Sequence, residues 1–289
     1  MFFLPLFDDN PTGQRPFICW LLIAGCIAVF FWQLGLDARA EQLAAYRFGV
    51  TPALLFGLEA WPAGLQKVPG WATVLTSAFL HGGWLHLGGN MLYLWIFGDN
   101  VEDAMGPVRF VLFYGLCALG AALAQGLVDP ASTVPMIGAS GAIAGVLGAY
   151  LILHPRAAVR VLLVIVIFFR FIHLPAWLVL GVWIAGQFIA VPAALNNTGG
   201  GGVAYFAHIG GFVTGMLLIP FFKRREVALF DRGLPKPNEA ESWQADPVDF
   251  ATLRDEARQR YRRQPLERGA RSGSVPAFRR RPKGPWDQD

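Results

Sequence analysis

Long apolar segments dominate residues 17–222 of the chain, and six of them are candidates for transmembrane helices. A helix needs about 20 predominantly apolar residues to cross a bilayer. The predicted spans are Phe17–Leu36, a helix within Leu85–Val101, Val108–Val128, Gly138–Leu153, a helix over about Leu174–Ala194, and Val203–Phe222. The pattern therefore predicts an all-α membrane protein, a bundle of six transmembrane helices.

Two segments between the predicted spans do not fit spanning helices. Residues 37–70 are too polar to span and too apolar for a free loop, so we expect them to form an interfacial excursion. Residues 161–169 are rich in Val and Ile but too short to cross as a helix, and arginines at 156, 160 and 170 flank them. This second segment either lies at the cytosolic interface or extends the fifth helix.

Charge is distributed unevenly between the body and the tail of the chain. Residues 1–222 hold 8 basic and 9 acidic side chains, whereas residues 223–289 hold 16 basic and 11 acidic ones. A body with so few charges cannot cover a soluble surface, which excludes an ordinary soluble globule. The uneven charge also excludes nucleic acid as the reason for the basic pI, and we expect no nucleic-acid partner. We therefore divide the chain into a cytosolic N-terminal segment (1–16), a six-span domain (17–222) and a basic, mostly disordered cytosolic tail (223–289).

Basic residues near the span ends predict the orientation. With the N-terminus inside, the inner segments hold Arg15, Arg109, the arginines around residues 161–169 and the whole basic tail. The outer segments hold only the three basic residues of the 37–70 excursion. Both termini are therefore predicted to be cytosolic. The three cysteines all lie in apolar runs and are interpreted as small buried hydrophobes rather than a disulfide framework.

Polar residues inside a membrane span are candidates for function, because lipid offers them no partner. His86 and Asn90 lie four residues apart in the second span and so share one helix face, and His81 precedes that helix. As metal ligands His86 and Asn90 are a poor pair, because amides bind zinc weakly. They are suited to donating hydrogen bonds to a developing negative oxygen, and the alternative is that they are only structural contacts between helices.

The fourth span begins at Gly138-Ala139-Ser140-Gly141, which puts Ser140 in the first helical turn. Backbone amides are free there and the helix dipole is positive, so a nucleophile at Ser140 would have its own N–H available for an oxyanion. A serine at a glycine-rich helix start is also a common cap. Gly141, Gly145 and Gly148 form a smooth face for close helix approach.

The sixth span carries His208 on the same face as Gly211 and Gly215. If this smooth face packs against that of the fourth span, the Ser140 hydroxyl comes within reach of the His208 imidazole. The span directions also predict that Ser140, His86 and His208 lie at similar depths near the outer surface.

These residues form motifs that resemble the rhomboid family of intramembrane serine proteases. The motifs are His81-x4-His86-x3-Asn90, Gly138-x-Ser140-Gly141 and Ala207-His208-x2-Gly211-x3-Gly215. The turn Glu102-x3-Gly106 between the second and third spans also resembles the family pattern. The likeness covers roughly residues 15–222, and the motifs appear in the family's order on the appropriate spans.

The resemblance implies a Ser–His dyad without an acidic third residue. Ser140 would be the nucleophile and His208 the general base, then the general acid. His86, Asn90 and the Ser140 backbone N–H would hold the oxyanion, and His81 would support them. Gly138, Gly141 and Gly211 complete the supporting set, and no metal or cofactor is implied.

The same resemblance implies the substrates and the location. Substrates would be single-span membrane proteins, cleaved in or beside the transmembrane segment near the outer leaflet. Residues 196–202 would form a mobile cap and the fifth helix a gate. The protein would be a multi-pass protein of the lipid bilayer, expected in a bacterial inner membrane.

One position departs from the family pattern. Many bacterial members place a tyrosine one turn after the serine, under the histidine ring, and here that position is Ala144. We hypothesise that Tyr205, three residues before His208, steadies the ring instead.

Two other functions are alternatives to proteolysis. One is an inactive rhomboid-like chaperone that binds membrane-spanning helices. The other is a six-span transporter in which His86 and His208 relay protons; against it, no Asp, Glu, Lys or Arg lies mid-span and no internal repeat is evident. The zinc type of membrane protease is excluded because its His-Glu-x-x-His motif is absent from the sequence.

Overall fold

Helices make up most of the computed structural model, which describes residues 2–61, 68–165, 168–195 and 203–231. The helices are α1 (Phe17–Leu34), α2 (Ala38–Phe48), α3 (Pro52–Leu55), α4 (Gly70–Thr76), α5 (Trp84–Met105), α6 (Pro107–Val128), α7 (Ser140–Leu153), α8 (Ala176–Leu195) and α9 (Tyr205–Phe222). The strands are β1 (Phe2–Asp8), β2 (Ala158–Ile165) and β3 (Phe168–Pro175). The predicted disordered tail beyond 231 and the predicted cap at 196–202 lie outside the described residues.

Each of the six predicted spans corresponds to a helix of the structure. Four of these helices, α1, α6, α8 and α9, are long and apolar enough to cross a membrane. The other two differ, because α5 carries three acidic residues near its C-terminal end and α7 is only 14 residues long. The mostly helical fold is confirmed, while the six-span count and the cytosolic termini stay predictions.

A three-stranded antiparallel sheet corrects the all-α prediction. Residues 161–165 belong to β2 and residues 168–169 to β3, so the alternative that this segment extends the fifth helix is wrong. The N-terminal segment forms β1 and pairs with the other edge of β2. Val159 and Val161 are fully buried on one face of the sheet, and β-branched residues fit such a half-buried pleated surface.

The 37–70 segment is helical over much of its length. Asp37 caps α2, its side chain accepting a hydrogen bond of 2.8 Å from the Ala40 amide. Residues 62–67 lie outside the described part of the chain. The segment leads through α4 and a short 3-10 turn at Ser77–Phe79 to the start of α5.

Helix α7 lies at the centre of the core, and residues 142–150 are all buried. It packs against α9 through glycines on both helices. A Cβ atom at Gly211 would overlap the Gly141 carbonyl oxygen, and one at Gly215 would overlap the Gly145 carbonyl oxygen. The predicted close approach of the two smooth faces is confirmed. All three cysteines are free and buried, as predicted.

A group of polar residues lies at the C-terminal ends of α5 and α7, and we call it the Asp8 cluster. The Asp8 carboxylate accepts hydrogen bonds from the Tyr150 hydroxyl and, at 3.1 Å, from the Asn100 amide. The Glu102 carboxylate accepts bonds of 2.9 and 3.0 Å from two backbone amides in the first turn of α1. The cluster (Asp8, Asn100, Glu102 and Tyr150) thus ties β1, α1, α5 and α7 together.

Candidate active site

Ser140 and His208 are hydrogen-bonded to each other at the N-terminal ends of α7 and α9. The Ser140 Oγ and the His208 Nε2 lie 2.7 Å apart. Ser140 is the first residue of α7 and His208 lies in the first turn of α9, so each side chain emerges at a helix start. The glycine contacts between the two helices bring these starts together. A nucleophile and a base in this contact have the geometry that hydroxyl activation requires.

The second ring nitrogen of His208 contacts a residue that the sequence-based prediction missed. The Gln187 Oε1 lies 2.8 Å from the His208 Nδ1. Gln187 belongs to α8, and Trp183, one turn earlier, places its ring centroid 5.8 Å from that of His208. Gln187 is a polar side chain inside a predicted span, and that signal could have revealed it.

Trp183 is also nearer to the His208 ring than the predicted support, Tyr205. The Tyr205 ring lies edge-on to His208 with a centroid distance of 6.5 Å. Trp183 stacks on Phe212 as well, at 6.2 Å, so its ring is held from a second side. Ala144 is fully buried. The role hypothesised for Tyr205 stays a prediction.

His86 presents an N–H group beside the start of α7. The Gly82 amide donates a hydrogen bond of 3.3 Å to the His86 Nδ1, so the proton of the neutral ring is on Nε2. Gly138 has φ +121°, and a Cβ atom there would lie 2.7 Å from that Nε2 and 3.8 Å from the Ser140 Oγ. Only glycine suits this conformation and this close approach to the ring.

Asn90 and His81 surround His86. Asn90 is 7% exposed, and its Nδ2 donates a 3.0 Å hydrogen bond to the His86 carbonyl oxygen; among the residues that the structure describes, its second N–H is available for another acceptor. His81 is 0% exposed, and its ring lies 5.2 Å from the His86 ring. The Gln33 side chain bonds to both the N–H and the carbonyl of His81, at 3.0 and 3.2 Å. His81 therefore lies at a fixed turn before α5 and packs behind His86.

A cavity of about 50 Å³ adjoins the start of α7, and Ser140, Gly138 and Ser77 are among its lining residues. This volume is enough for a water molecule, which occupies about 30 Å³ in the liquid. The site thus combines a hydroxyl bonded to an imidazole, a helix start with free amides, a second imidazole N–H and room for water. Such a set is suited to acyl transfer through a tetrahedral oxyanion, followed by hydrolysis.

Comparison with known proteins gives one family. A sequence model of the Rhomboid domain matches residues 69–225, a range that contains every predicted site residue. The chain is 30% identical over 176 residues to the chloroplastic Rhomboid-like protein 11 of Arabidopsis thaliana, covering 59% of each chain. It is 35% identical over 153 residues to the mitochondrial Rhomboid protein 1 of Saccharomyces cerevisiae, covering 50% of this chain and 40% of that protein.

A bacterial relative is also similar. The chain is 35% identical over 139 residues to the Rhomboid protease GluP of Bacillus subtilis, covering 47% of this chain and 24% of that protein. The chain therefore spans less than two thirds of the length of each of these relatives. They come from a chloroplast, a mitochondrion and a bacterium, so the comparisons leave the bacterial inner membrane as a prediction.

Proposed function

This chain belongs to the rhomboid family, and on that premise we propose that it is an intramembrane serine endopeptidase. The observation that carries the proposal is the 2.7 Å contact between the Ser140 hydroxyl and the His208 Nε2. Membership alone is insufficient, because relatives that lack the serine or the histidine are pseudoproteases. Both residues are present here, and they are in contact.

In the first half of the proposed reaction the Ser140 Oγ attacks the carbonyl carbon of the scissile peptide bond. The hydroxyl proton moves to the His208 Nε2, and the carbonyl oxygen becomes an oxyanion. The Ser140 backbone N–H and the His86 Nε2–H donate hydrogen bonds to this oxygen, with the free Asn90 N–H as a third donor. The intermediate then collapses, the C–N bond breaks, and the proton on Nε2 passes to the leaving amine.

In the second half a water molecule attacks the ester that joins the substrate acyl group to Ser140. His208 Nε2 takes a proton from this water, the same donors hold the second oxyanion, and the bond to Ser140 Oγ breaks. The proton returns to the Ser140 oxygen, and the new carboxyl end leaves. The cavity beside Ser140 can hold water for this step.

The proposed substrates are single-span membrane proteins, cleaved in or next to their transmembrane segment. A substrate helix must first unwind, because its own hydrogen bonds shield the scissile carbonyl. With both termini in the cytosol, Ser140 and His208 face the outer leaflet, where water is available. We propose a bacterial cell membrane as the location, and α8 as the gate through which a substrate helix reaches Ser140.

The test compares wild-type protein with Ser140→Ala, purified and placed in liposomes with a fluorescent single-span reporter. We expect the substitution to abolish cleavage of the reporter and labelling by a fluorophosphonate probe, without lowering the thermal unfolding temperature. Ser132→Ala, in the loop before α7, is the matched control and should cleave like the wild type. Cleavage that persists in Ser140→Ala overturns the mechanism, and a wild type that binds span helices without cutting them favours the chaperone function.

A further inference from the structure

We propose that Gln187 is a positioning residue that fixes the proton of the His208 ring on Nδ1, so that α8 orients the base. The inference rests on the proposed peptidase function and deepens it. The dyad has a third member in space, a neutral amide where a soluble serine hydrolase has a carboxylate. Gln187 lies on α8, the proposed gate helix, so the position of the gate affects the protonation of His208.

The hydrogen bonds of Gln187 determine which way its amide points. The Gln187 Nε2 donates a 3.1 Å hydrogen bond to the carbonyl oxygen of Trp183, one turn earlier on the same helix. The amide oxygen therefore points away from that carbonyl and towards His208, with Oε1 2.8 Å from Nδ1. Because Oε1 can only accept, the hydrogen of this bond belongs to Nδ1.

The opposite orientation of the amide is disfavoured at both ends. Rotated by half a turn, the amide would place its oxygen against the Trp183 carbonyl oxygen, an acceptor facing an acceptor. It would also present an N–H to the His208 Nδ1, which would move the ring proton to Nε2. A ring protonated on Nε2 cannot accept the hydroxyl proton of Ser140, so the observed orientation is the one that supports base catalysis.

Helix α8 differs from α7 and α9 in how firmly it is held. Backbone contacts at Gly141–Gly211 and Gly145–Gly215 lock α7 and α9 together, so the Ser140–His208 contact rests on a rigid pair. Helix α8 exposes much of its surface, including Ile189 at 79%. A displacement of α8 by about 1 Å would stretch the 2.8 Å bond past the usual hydrogen-bond limit. The base is therefore correctly protonated only when α8 is seated against α9.

The experiment measures proteolysis, serine reactivity and the ring tautomer in four full-length variants. Gln187→Met keeps the shape of the side chain but removes the acceptor, whereas Gln187→Asn keeps the amide on a side chain one methylene shorter. Gln187→Glu keeps an acceptor at the same reach. Ile189→Met is the matched control, with the same residue introduced on the lipid-facing side of α8. The 15N signals of the His208 ring report which nitrogen carries the proton.

We expect Gln187→Met and Gln187→Asn to lower kcat about 10- to 100-fold, less than the full contribution of a general base, with little change in KM. Fluorophosphonate labelling of Ser140 should slow by the same factor, and the 15N signals should show a mixture of tautomers. Gln187→Glu should retain most of the activity, and Ile189→Met should match the wild type. Because labelling needs no substrate helix, a slower rate separates positioning of the base from substrate entry.

Several outcomes would overturn the inference. A Gln187→Met protein with the wild-type labelling rate and an unchanged tautomer contradicts it, and so does an effect on KM alone. If Gln187→Met fails to fold, the test depends on Gln187→Asn and Gln187→Glu. Equal losses of activity in these two variants would mean that a hydrogen-bond acceptor at this position is irrelevant, which contradicts the inference. A wild-type protein that leaves the reporter intact contradicts the proposed function instead, whereas a cleaving wild type with a fully active Gln187→Met contradicts only the role of Gln187.

Discussion

Two polar clusters lie at opposite ends of α7, and they are built from different chemistry. The Ser140 cluster (Ser140, His208, Gln187 and His86) holds a hydroxyl, two imidazoles and an amide, and hydrogen bonds of 2.7 and 2.8 Å join His208 to Ser140 and to Gln187. The Asp8 cluster at the other end contains two carboxylates, and further ionised residues lie beside it, including the ion pair of Arg224 and Asp103 at 3.2 Å.

The difference follows from the hydrogen-bond donors at each end of the helix, since Glu102, which is only 3% exposed, has two backbone amides of α1 to bind. A charge buried in an apolar bundle is costly, whereas a neutral polar group that makes all its hydrogen bonds is tolerated. The Ser140 cluster therefore uses neutral groups whose protons can move. The Asp8 cluster uses carboxylates to satisfy free amides at the start of α1 and to attach β1 to the bundle. One cluster is suited to chemistry and the other to holding the fold together, and this division can be tested.

The largest effect is expected from His208→Asn in the Ser140 cluster. Removing the base should lower kcat at least about a thousandfold, because serine and histidine act as one unit. The thermal unfolding temperature should remain close to the wild-type value. His173→Asn, an exposed histidine on β3, is the control and should keep full activity. If His208→Asn keeps activity within tenfold of the wild type, the Ser140 cluster is not the catalytic one and the distinction from the structural Asp8 cluster is wrong.

The next effect is expected from Glu102→Ala in the Asp8 cluster. Its carboxylate accepts two hydrogen bonds from backbone amides of α1, one buried and one partly buried, and their loss should cost about 2–4 kcal/mol in the free energy of unfolding. Unfolding in detergent measures this change, with the exposed Glu41→Ala as the control. The folded fraction should keep its specific activity, since the Ser140 cluster is a helix length away. A Glu102→Ala protein with unchanged stability and lost activity would contradict the structural role of the Asp8 cluster.

A third effect is a pH dependence of stability that comes from Asp8. Burial raises the pKa of its carboxyl from 3.8 to about 7, against the opposing hydrogen bond from Tyr150. The folded protein thus holds this proton more tightly than the unfolded chain does, so stability should fall as the pH rises from about 4 to about 7 and then level off.

Asp8→Asn cannot titrate and should flatten that part of the stability profile. Unfolding temperatures measured at pH 5 and pH 8 for the variant and the wild type are the check. Asp129→Asn, an exposed aspartate at the C-terminal end of α6, is the control and should keep the wild-type slope. If the unfolding temperature of the wild type does not fall between pH 5 and pH 8, then Asp8 does not make the stability of the protein depend on pH.

Much of the fold and of the site could be predicted because membrane-spanning sequences carry strong signals. The six apolar segments correspond to α1 and α5–α9 with boundaries within a few residues. The glycines of α7 and α9 predicted the close approach, and scarce polar groups in the spans singled out Ser140 and His208. These signals are local, or repeat along one helix face, so a single segment contains them.

Features that depend on contacts between distant segments were missed. Residues 161–165 and 168–169 lie in strands β2 and β3, and the other edge of β2 pairs with the N-terminal segment about 150 residues away, a contact that no local pattern predicts. Gln187 lies in an ordinary apolar helix, and its amide gains a role only because α8 sets it against α9. Asp8 gains its unusual environment from Tyr150 and Asn100 on two other helices.

The amino-acid sequence alone therefore indicates which segments form apolar helices and which few polar groups they carry, because both patterns depend on the high cost of polar groups in lipid. The partner of each polar group depends on how the helices pack. A hydrogen bond requires two atoms within about 3 Å and in the correct orientation, and helix packing sets that geometry. Ser140 could be identified as a candidate nucleophile from its place in the chain, but its bond to His208, and the bond of His208 to Gln187, exist only in the assembled bundle.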